Sequence, residues 1–237
     1  VSAVAFFPQE NTFLSTSWDQ TIKWWDLEKE KALKTFQRTA LPVNSLCVLP
    51  EKHTLFIGSA DHTVKEFHWK TFTQERIYQG HQDSVQAVGC SENLLVSGGA
   101  DQQIIYWDTG QAIKFLKLSQ KISALTVSQK RVACGTEEGG LLLVTSLEQS
   151  PVTWVGHTDR ITALQFSHPE TLFSSSLDNT LKIWEMTLKP SLLRSYSYAL
   201  PLWSLSLSPD QQSLLAGSDG LWLHWDTHSK AKVIPQG

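Results

Sequence analysis

One layout occurs twice in this chain, and it restricts the fold more than any other feature. Gly80 to Asp108 reads GHQDSVQAVGCSENLLVSGGADQQIIYWD, and Gly156 to Glu185 reads GHTDRITALQFSHPETLFSSSLDNTLKIWE. An Asp follows the His by twenty residues in the first copy (His81, Asp101) and by twenty-one in the second (His157, Asp178). In both, a Trp follows the Asp by six (Trp107, Trp184) and a Ser precedes it by four (Ser97, Ser174). With the Asp as a ruler, the aligned positions are Asp19, Asp61, Asp101, Glu138, Asp178 and Asp219, spaced 42, 40, 37, 40 and 41 residues apart. Each repeat reads as four short strands separated by turn residues, with no amphipathic helical stretch between them.

A period near forty with this GH…WD frame is the mark of a propeller blade, and the chain resembles the WD-repeat β-propeller family. The resemblance covers essentially the whole chain. It implies an all-β propeller of four-stranded antiparallel blades, six of them, at about 1–38, 39–79, 80–119, 120–155, 156–198 and 199–237. Repeats three and five are complete. Repeat two has Phe67 and Ile57 where Trp and Ser are expected; repeat four has Glu138 and Val144 where Asp and Trp are expected. Repeat six keeps Asp219 and Trp225 but has Leu215 at the Ser position. The chain begins on an innermost strand and ends on an outermost one. A further blade or clasping strand outside this chain, giving a seven-bladed ring, is therefore expected, as is a longer multidomain parent.

Out of context, Ser, His and Asp together suggest a hydrolase triad. The resemblance implies a structural role instead. Trp donates to Ser, Ser to His and His to Asp, which pins the loop before the first strand to the turn between the second and third. A fully paired buried chain of this kind rigidifies a fold. Its occurrence in two repeats (His81, Ser97, Asp101, Trp107 and His157, Ser174, Asp178, Trp184) speaks against a single active site. Repeat one carries Ser15, Asp19 and Trp25 without a His.

Composition excludes little but consistently. Net charge is −3 and only 18% of residues are charged, which gives no electrostatic argument for nucleic acid or an anionic membrane. No apolar run reaches the length of a membrane helix, and the first residues are not a signal peptide. Cys47, Cys90 and Cys134 lack CxxC spacing and read as reduced core thiols of a cytoplasmic or nuclear protein. The eight histidines are scattered, so no metal is expected. GTEEGG, residues 135–140, is a strand turn without the Lys and helix of a phosphate cradle. No cofactor is implied.

Trp25, Trp107, Trp184 and Trp225 occupy the blade-core position, and Trp24, Trp69, Trp154 and Trp222 suit packing between blades. Trp18 and Trp203 do not. Trp18 precedes the turn Asp19, where other repeats have Ala60, Ala100, Glu137, Leu177 and Ser218. Trp203 stands at a strand start where others have Ser2, Asn44, Gln86, Ser123 and Thr162. The family geometry puts both positions on one face, with Trp18 and Trp203 as neighbours if repeats one and six meet. Exposed aromatics of this kind are interaction hot spots. The expected partner-binding set is Trp18, Trp203, Leu177, Asn44 and Gln86, with Arg160 and Lys121 as a basic rim. The polar strand starts do not resemble an enzyme's channel. The reading is a non-catalytic scaffold for a protein or peptide; the alternative is a regulatory propeller that packs on its own parent chain.

Overall fold

The computed structural model describes residues 1–7, 11–36, 39–91, 94–145, 150–168, 170–187, 190–208, 212–219 and 222–226. Blade 1 is built from β1 (Ala3–Phe7), β2 (Thr12–Thr16), β3 (Ile22–Asp26) and β4 (Lys31–Phe36). Blade 2 holds β5 (Val43–Leu49), β6 (Thr54–Ser59), β7 (Thr63–His68) and β8 (Thr73–Gln79). Blade 3 holds β9 (Val85–Ser91), β10 (Leu94–Gly99), β11 (Gln103–Asp108) and β12 (Gln111–Lys117). Blade 4 holds β13 (Ile122–Ser128), β14 (Arg131–Thr136), β15 (Gly140–Val144) and β16 (Val152–Val155). Blade 5 holds β17 (Ile161–His168), β18 (Thr171–Ser176), β19 (Thr180–Glu185) and β20 (Ser191–Ser197). Blade 6 shows β21 (Leu202–Leu207), β22 (Ser213–Ser218) and β23 (Trp222–Asp226). Its expected fourth strand, AKVIP, lies outside the described residues. Each sheet is an antiparallel meander in chain order, so the fold is the all-β propeller with six blades.

The chain divides into two compact halves, Val1–Ile122 and Ser123–Gly237. In the first, Phe7, Leu14, Ile22 and Phe36 of blade 1 pack on Val43, Leu55, Ile57 and Trp69 of blade 2. Phe56, Val64 and Tyr78 of blade 2 pack with Val85, Val88, Leu95, Ile105 and Trp107 of blade 3. In the second half, equivalent layers join blades 4 and 5 around Ile161, Leu172 and Trp184, and blades 5 and 6 around Leu181, Leu202 and Leu214. Each fully buried Leu or Ile contributes roughly 1.5–3 kcal/mol. The outermost strands bury far less, as the alternating half-exposed pattern of β12 shows. Stability therefore resides in the layers between blades, which is why the buried residues of β10 and β14 are apolar or small.

Two register irregularities recur. The pairing of the third and fourth strands shifts at the Trp position: between Trp24 and Trp25, Glu66 and Phe67, Tyr106 and Trp107, and Ile183 and Trp184. A second bulge falls at the start of the innermost strand. The ladder skips Asn44, Gln86, Thr162 and Trp203 in blades 2, 3, 5 and 6. A bulge turns a side chain out of the regular alternation.

The reading of three reduced thiols is corrected. Cys47 of β5 and Cys90 of β9 form a disulfide with their Cα atoms 6.1 Å apart. The two are 43 residues apart in sequence, about one repeat, so face-to-face packing brings the same region of two successive blades together. The thiol argument for a cytoplasmic or nuclear compartment lapses with it. Cys134 is the free cysteine; it is buried, and burial pushes its thiol pKa up. Among the described residues no helix is long and apolar enough to cross a membrane.

Candidate functional site

The His-Asp-Ser-Trp sets close as complete chains in both repeats that carry them. Trp107 Nε1 donates to Ser97 Oγ at 2.8 Å, Ser97 Oγ lies 2.7 Å from His81 Nε2, and His81 Nδ1 is 2.9 Å from Asp101 Oδ2. In blade 5 the corresponding distances are 2.8, 2.6 and 2.9 Å for Trp184, Ser174, His157 and Asp178. The only tautomer that satisfies every member has Nδ1–H donating to the carboxylate and Nε2 accepting the Ser hydroxyl. Burial lowers the pKa of both imidazoles, against the opposing pull of the carboxylates, and takes His157 to about 4. Ser97 and Ser174 are fully buried, and each hydroxyl is committed on both sides. No substrate reaches them, and a neutral low-pKa imidazole is a poor general base.

Each Asp does more than hold a His. Asp178 also accepts the backbone N–H of Thr158 and of Thr180 and the Thr180 hydroxyl. Asp101 accepts the N–H of Gln82 and of Gln103. The carboxylate thus joins the loop before the first strand to the turn after the second. Blade 1 keeps a partial set: Trp25 Nε1 donates to Ser15 Oγ at 2.8 Å, and Asp19 binds Thr21. Blade 2 replaces the chain with fully buried Ile57 and pairs Asp61 with Lys65 and Thr63. The blade-core position Trp225 has its side chain outside the described residues, as does Trp222.

In the GTEEGG segment, Gly139 has φ +81° and its carbonyl accepts the N–H groups of both Gly156 and His157. A Cβ there would stand 2.3 Å from the His157 carbonyl oxygen. Gly139→Ala combines a left-handed residue with a backbone clash and is expected to cost about 2 kcal/mol or more. Chemical denaturation of the variant checks this; an unchanged midpoint would show that the clamp on the His157 loop is dispensable.

The strand-start positions divide by what their side chains reach. Ser2 donates to the Val43 carbonyl at 2.5 Å and Asn44 to the Val85 carbonyl at 2.9 Å. Ser123 donates to the Ile161 carbonyl and Thr162 to the Leu202 carbonyl, both at 2.6 Å. Each acceptor sits one residue before the next blade's strand start, so these side chains staple blade to blade. The sequence pattern gave no sign of this role. Asn44, expected to face a partner, spends its amide on Val85 and Ser84. Gln86 is half-buried and Lys121 is exposed.

Trp203 breaks the series. Blade 6 has Tyr198 where His81 and His157 stand, so Asp219 has no imidazole to hold. Its Oδ1 accepts the Trp203 indole N–H at 2.9 Å instead, and the ring remains 51% exposed. In the same half, Leu177 is half-buried, with its N–H bonded to the Arg160 carbonyl, and the Arg160 guanidinium lies 3.8 Å from Glu137. In the first half, Trp18 sits in the β2–β3 turn at 73% exposure. The Asp19 N–H donates to Ser17 Oγ, and the Thr21 N–H and hydroxyl donate to Asp19 Oδ1; these bonds fix the turn, and those of Thr21 contribute most to holding the Asp19 carboxyl below its usual pKa.

Antiparallel four-stranded blades, two of them clamped by a buried His-Asp-Ser-Trp chain, define a repeat propeller. The chain belongs to the WD-repeat family: the profile of the WD domain, G-beta repeat, matches residues 1–26, 30–68, 72–108, 148–185 and 191–226. The longest unmatched stretch, residues 109–147, holds β12 and most of blade 4, where Glu138 and Val144 depart from the frame. The chain is 25% identical over 219 residues to the nuclear distribution protein nudF of Aspergillus niger, covering 78% of this chain and 49% of that protein. It is 31% identical over 155 residues to the target of rapamycin complex subunit wat1 of Schizosaccharomyces pombe, covering 60% of this chain and 49% of that protein. The chain therefore spans about half the length of both relatives. The crystal structure of the computationally designed Ika8 protein superposes with a TM-score of 0.73 at 26% identity, over 95% of this chain and 70% of that one. Members of the family are generally non-catalytic and act as protein-interaction scaffolds.

Proposed function

We propose that this chain is a protein-interaction propeller that recruits a peptide or protein partner through the blade ends bearing Trp18 and Trp203. The observation that carries the reading is the Trp203 indole. At a bulge position where Asn44 and Thr162 staple neighbouring blades, blade 6 instead presents a large aromatic ring, oriented by Asp219 and half open to solvent. A pre-oriented exposed Trp loses little conformational entropy on binding, and such residues dominate interface energetics. Trp18 offers the same chemistry on the first half. Leu177 and Arg160 are further candidates in the second half, and Gln86 and Lys121 in the first, each half being read by itself. The charge balance gives nucleic acid no support as the partner.

The test compares the parent chain with Trp18→Ala, Trp203→Ala and the double variant. Melting temperatures should stay within about 2 °C of the parent, because neither ring is core. A binding partner identified by pull-down and mass spectrometry should lose about thirtyfold in affinity for each ring that is a hot spot of ~2 kcal/mol. Unaltered binding by the folded double variant would reject the reading. A large fall in melting temperature would show that the rings are structural.

A further inference from the structure

At the ends of the strands opposite the Trp18 turn, a cleft of about 450 Å³ opens between blades 2 and 3. Its inner walls are Phe56, Leu95, Tyr78 and Trp107, all at least nine-tenths buried. The aromatic rings stand edge to face: Phe56 to Tyr78 at 6.2 Å and 69°, Tyr78 to Trp107 at 5.5 Å and 76°. Among these apolar walls lies a carboxylate, Glu66, whose side chain is only 14% exposed. The Tyr78 hydroxyl donates to Glu66 Oε2 at 2.7 Å. Burial, and then the Glu66 acceptor, push the phenol up to about 12, so it remains a donor.

Glu66 Oε1 accepts no hydrogen bond from the described residues. A second carboxylate, Asp108, is exposed at the mouth. Lys52 is the cation of the lining, also on the exposed rim. From the outer strand β8, Arg76 brings Nη1 to 3.7 Å from Glu66 Oε2, while its own side chain is 46% exposed. Its Cδ passes so close to Gly110 that a Cβ there would stand 2.6 Å away. The protein's own Arg76 thus approaches Glu66 from one side, and the cleft offers the approach from the other.

A half-buried carboxylate at the end of an aromatic and aliphatic slot suits one kind of guest: an apolar stem ending in a cation. For such a guest Leu95 and Trp107 offer the surface for the stem, and Glu66 Oε1 the acceptor for the head. The volume is within the range of sites that enclose a small ligand. We propose that this cleft receives the side chain of a lysine or arginine presented by an extended segment of a partner protein. The site lies on the opposite end of the blades from Trp18 and stands independently of the reading above.

The test is an NMR titration of the 237-residue chain with hexylguanidinium, hexanol and hexanoate as probes. Hexylguanidinium should give saturable shifts centred on Leu95, Tyr78 and Trp107, and the other two should bind at least about tenfold more weakly. Glu66→Gln retains an acceptor for Tyr78 and removes the charge. It should weaken hexylguanidinium about tenfold while leaving weak hexanol binding unchanged. Arg76→Ala removes the competing cation and should strengthen hexylguanidinium, an effect that a merely structural Glu66 would not produce. Hexanol binding as tightly as hexylguanidinium would reduce the cleft to an apolar cavity and overturn the proposal. So would a preference for hexanoate, or the absence of a saturable shift. Should Glu66→Gln fail to fold, the three-probe comparison on the parent and the Arg76→Ala gain still decide the matter.

Discussion

Melting temperature will fall by roughly 6–12 °C when Asp178 is replaced by alanine, and Asp101→Ala will behave alike. The change removes the acceptor of a fully buried imidazole N–H. It also removes the acceptor on which the part-buried Thr180 amide and hydroxyl and the exposed Thr158 amide now converge. A buried donor left without a partner costs about 1–3 kcal/mol, and a network with one member missing costs more than a single deletion. About 3 kcal/mol in a domain of this size corresponds to the stated shift. Trp184→Phe deletes the donor at the other end of the chain and should cost less, roughly 1–3 kcal/mol. Asp219→Ala supplies the control, because its carboxylate holds an exposed Trp203 rather than a buried His. Differential scanning calorimetry of the three Asp variants reads the contrast. Equal, small shifts in all of them would mean that the chains do not clamp the blades.

The chains were legible in the sequence because repetition fixed their members: His81, Ser97, Asp101 and Trp107 keep nearly the same offsets as His157, Ser174, Asp178 and Trp184. The strands were legible for a similar reason, since turn residues recur at each period. What was not legible depends on how one blade meets the next. Ser2, Asn44, Ser123 and Thr162 looked like a polar channel lining; their reach to the next blade's carbonyl, at a bulge in the case of Asn44 and Thr162, leaves no mark in a hydrophobic pattern. Cys47 and Cys90 lacked a short-range motif, though their separation of 43 residues, close to the repeat period, was the available signal. The cleft needs Tyr78 of one repeat beside Trp107 of the next, and no single repeat contains both. Trp18 and Trp203 were picked out as departures from their equivalents, and the structure leaves both exposed. The Asp219 contact to Trp203 becomes readable once Tyr198 is seen at the His position.

Acid will destabilise this fold well above the usual carboxylate range. Burial, opposed by Asp178, lowers the His157 pKa from 6.5 to about 4, and burial lowers His81 in the same direction. Between those values the unfolded chain binds a proton that the native imidazole refuses, so stability must rise with pH there. The contribution is complete above pH 6.5 and is lost as pH falls toward 4. From His157 alone the loss between pH 7.5 and 5 is about 2 kcal/mol, or roughly 4–8 °C in melting temperature. Asp178 follows at lower pH. Burial would raise its pKa, but the Thr180 and Thr158 hydrogen bonds and His157 outweigh it and hold the carboxyl at about 2. Its stabilisation is present above pH 3.8 and is lost as pH falls toward 2, so the two effects act in succession. Melting temperatures measured from pH 8 to pH 4 for the parent, His81→Gln and His157→Gln separate this from general acid sensitivity. Each variant should melt lower than the parent at pH 7.5 but lose less on acidification. Parallel curves for all three proteins would show that the buried imidazoles do not set the acid limb.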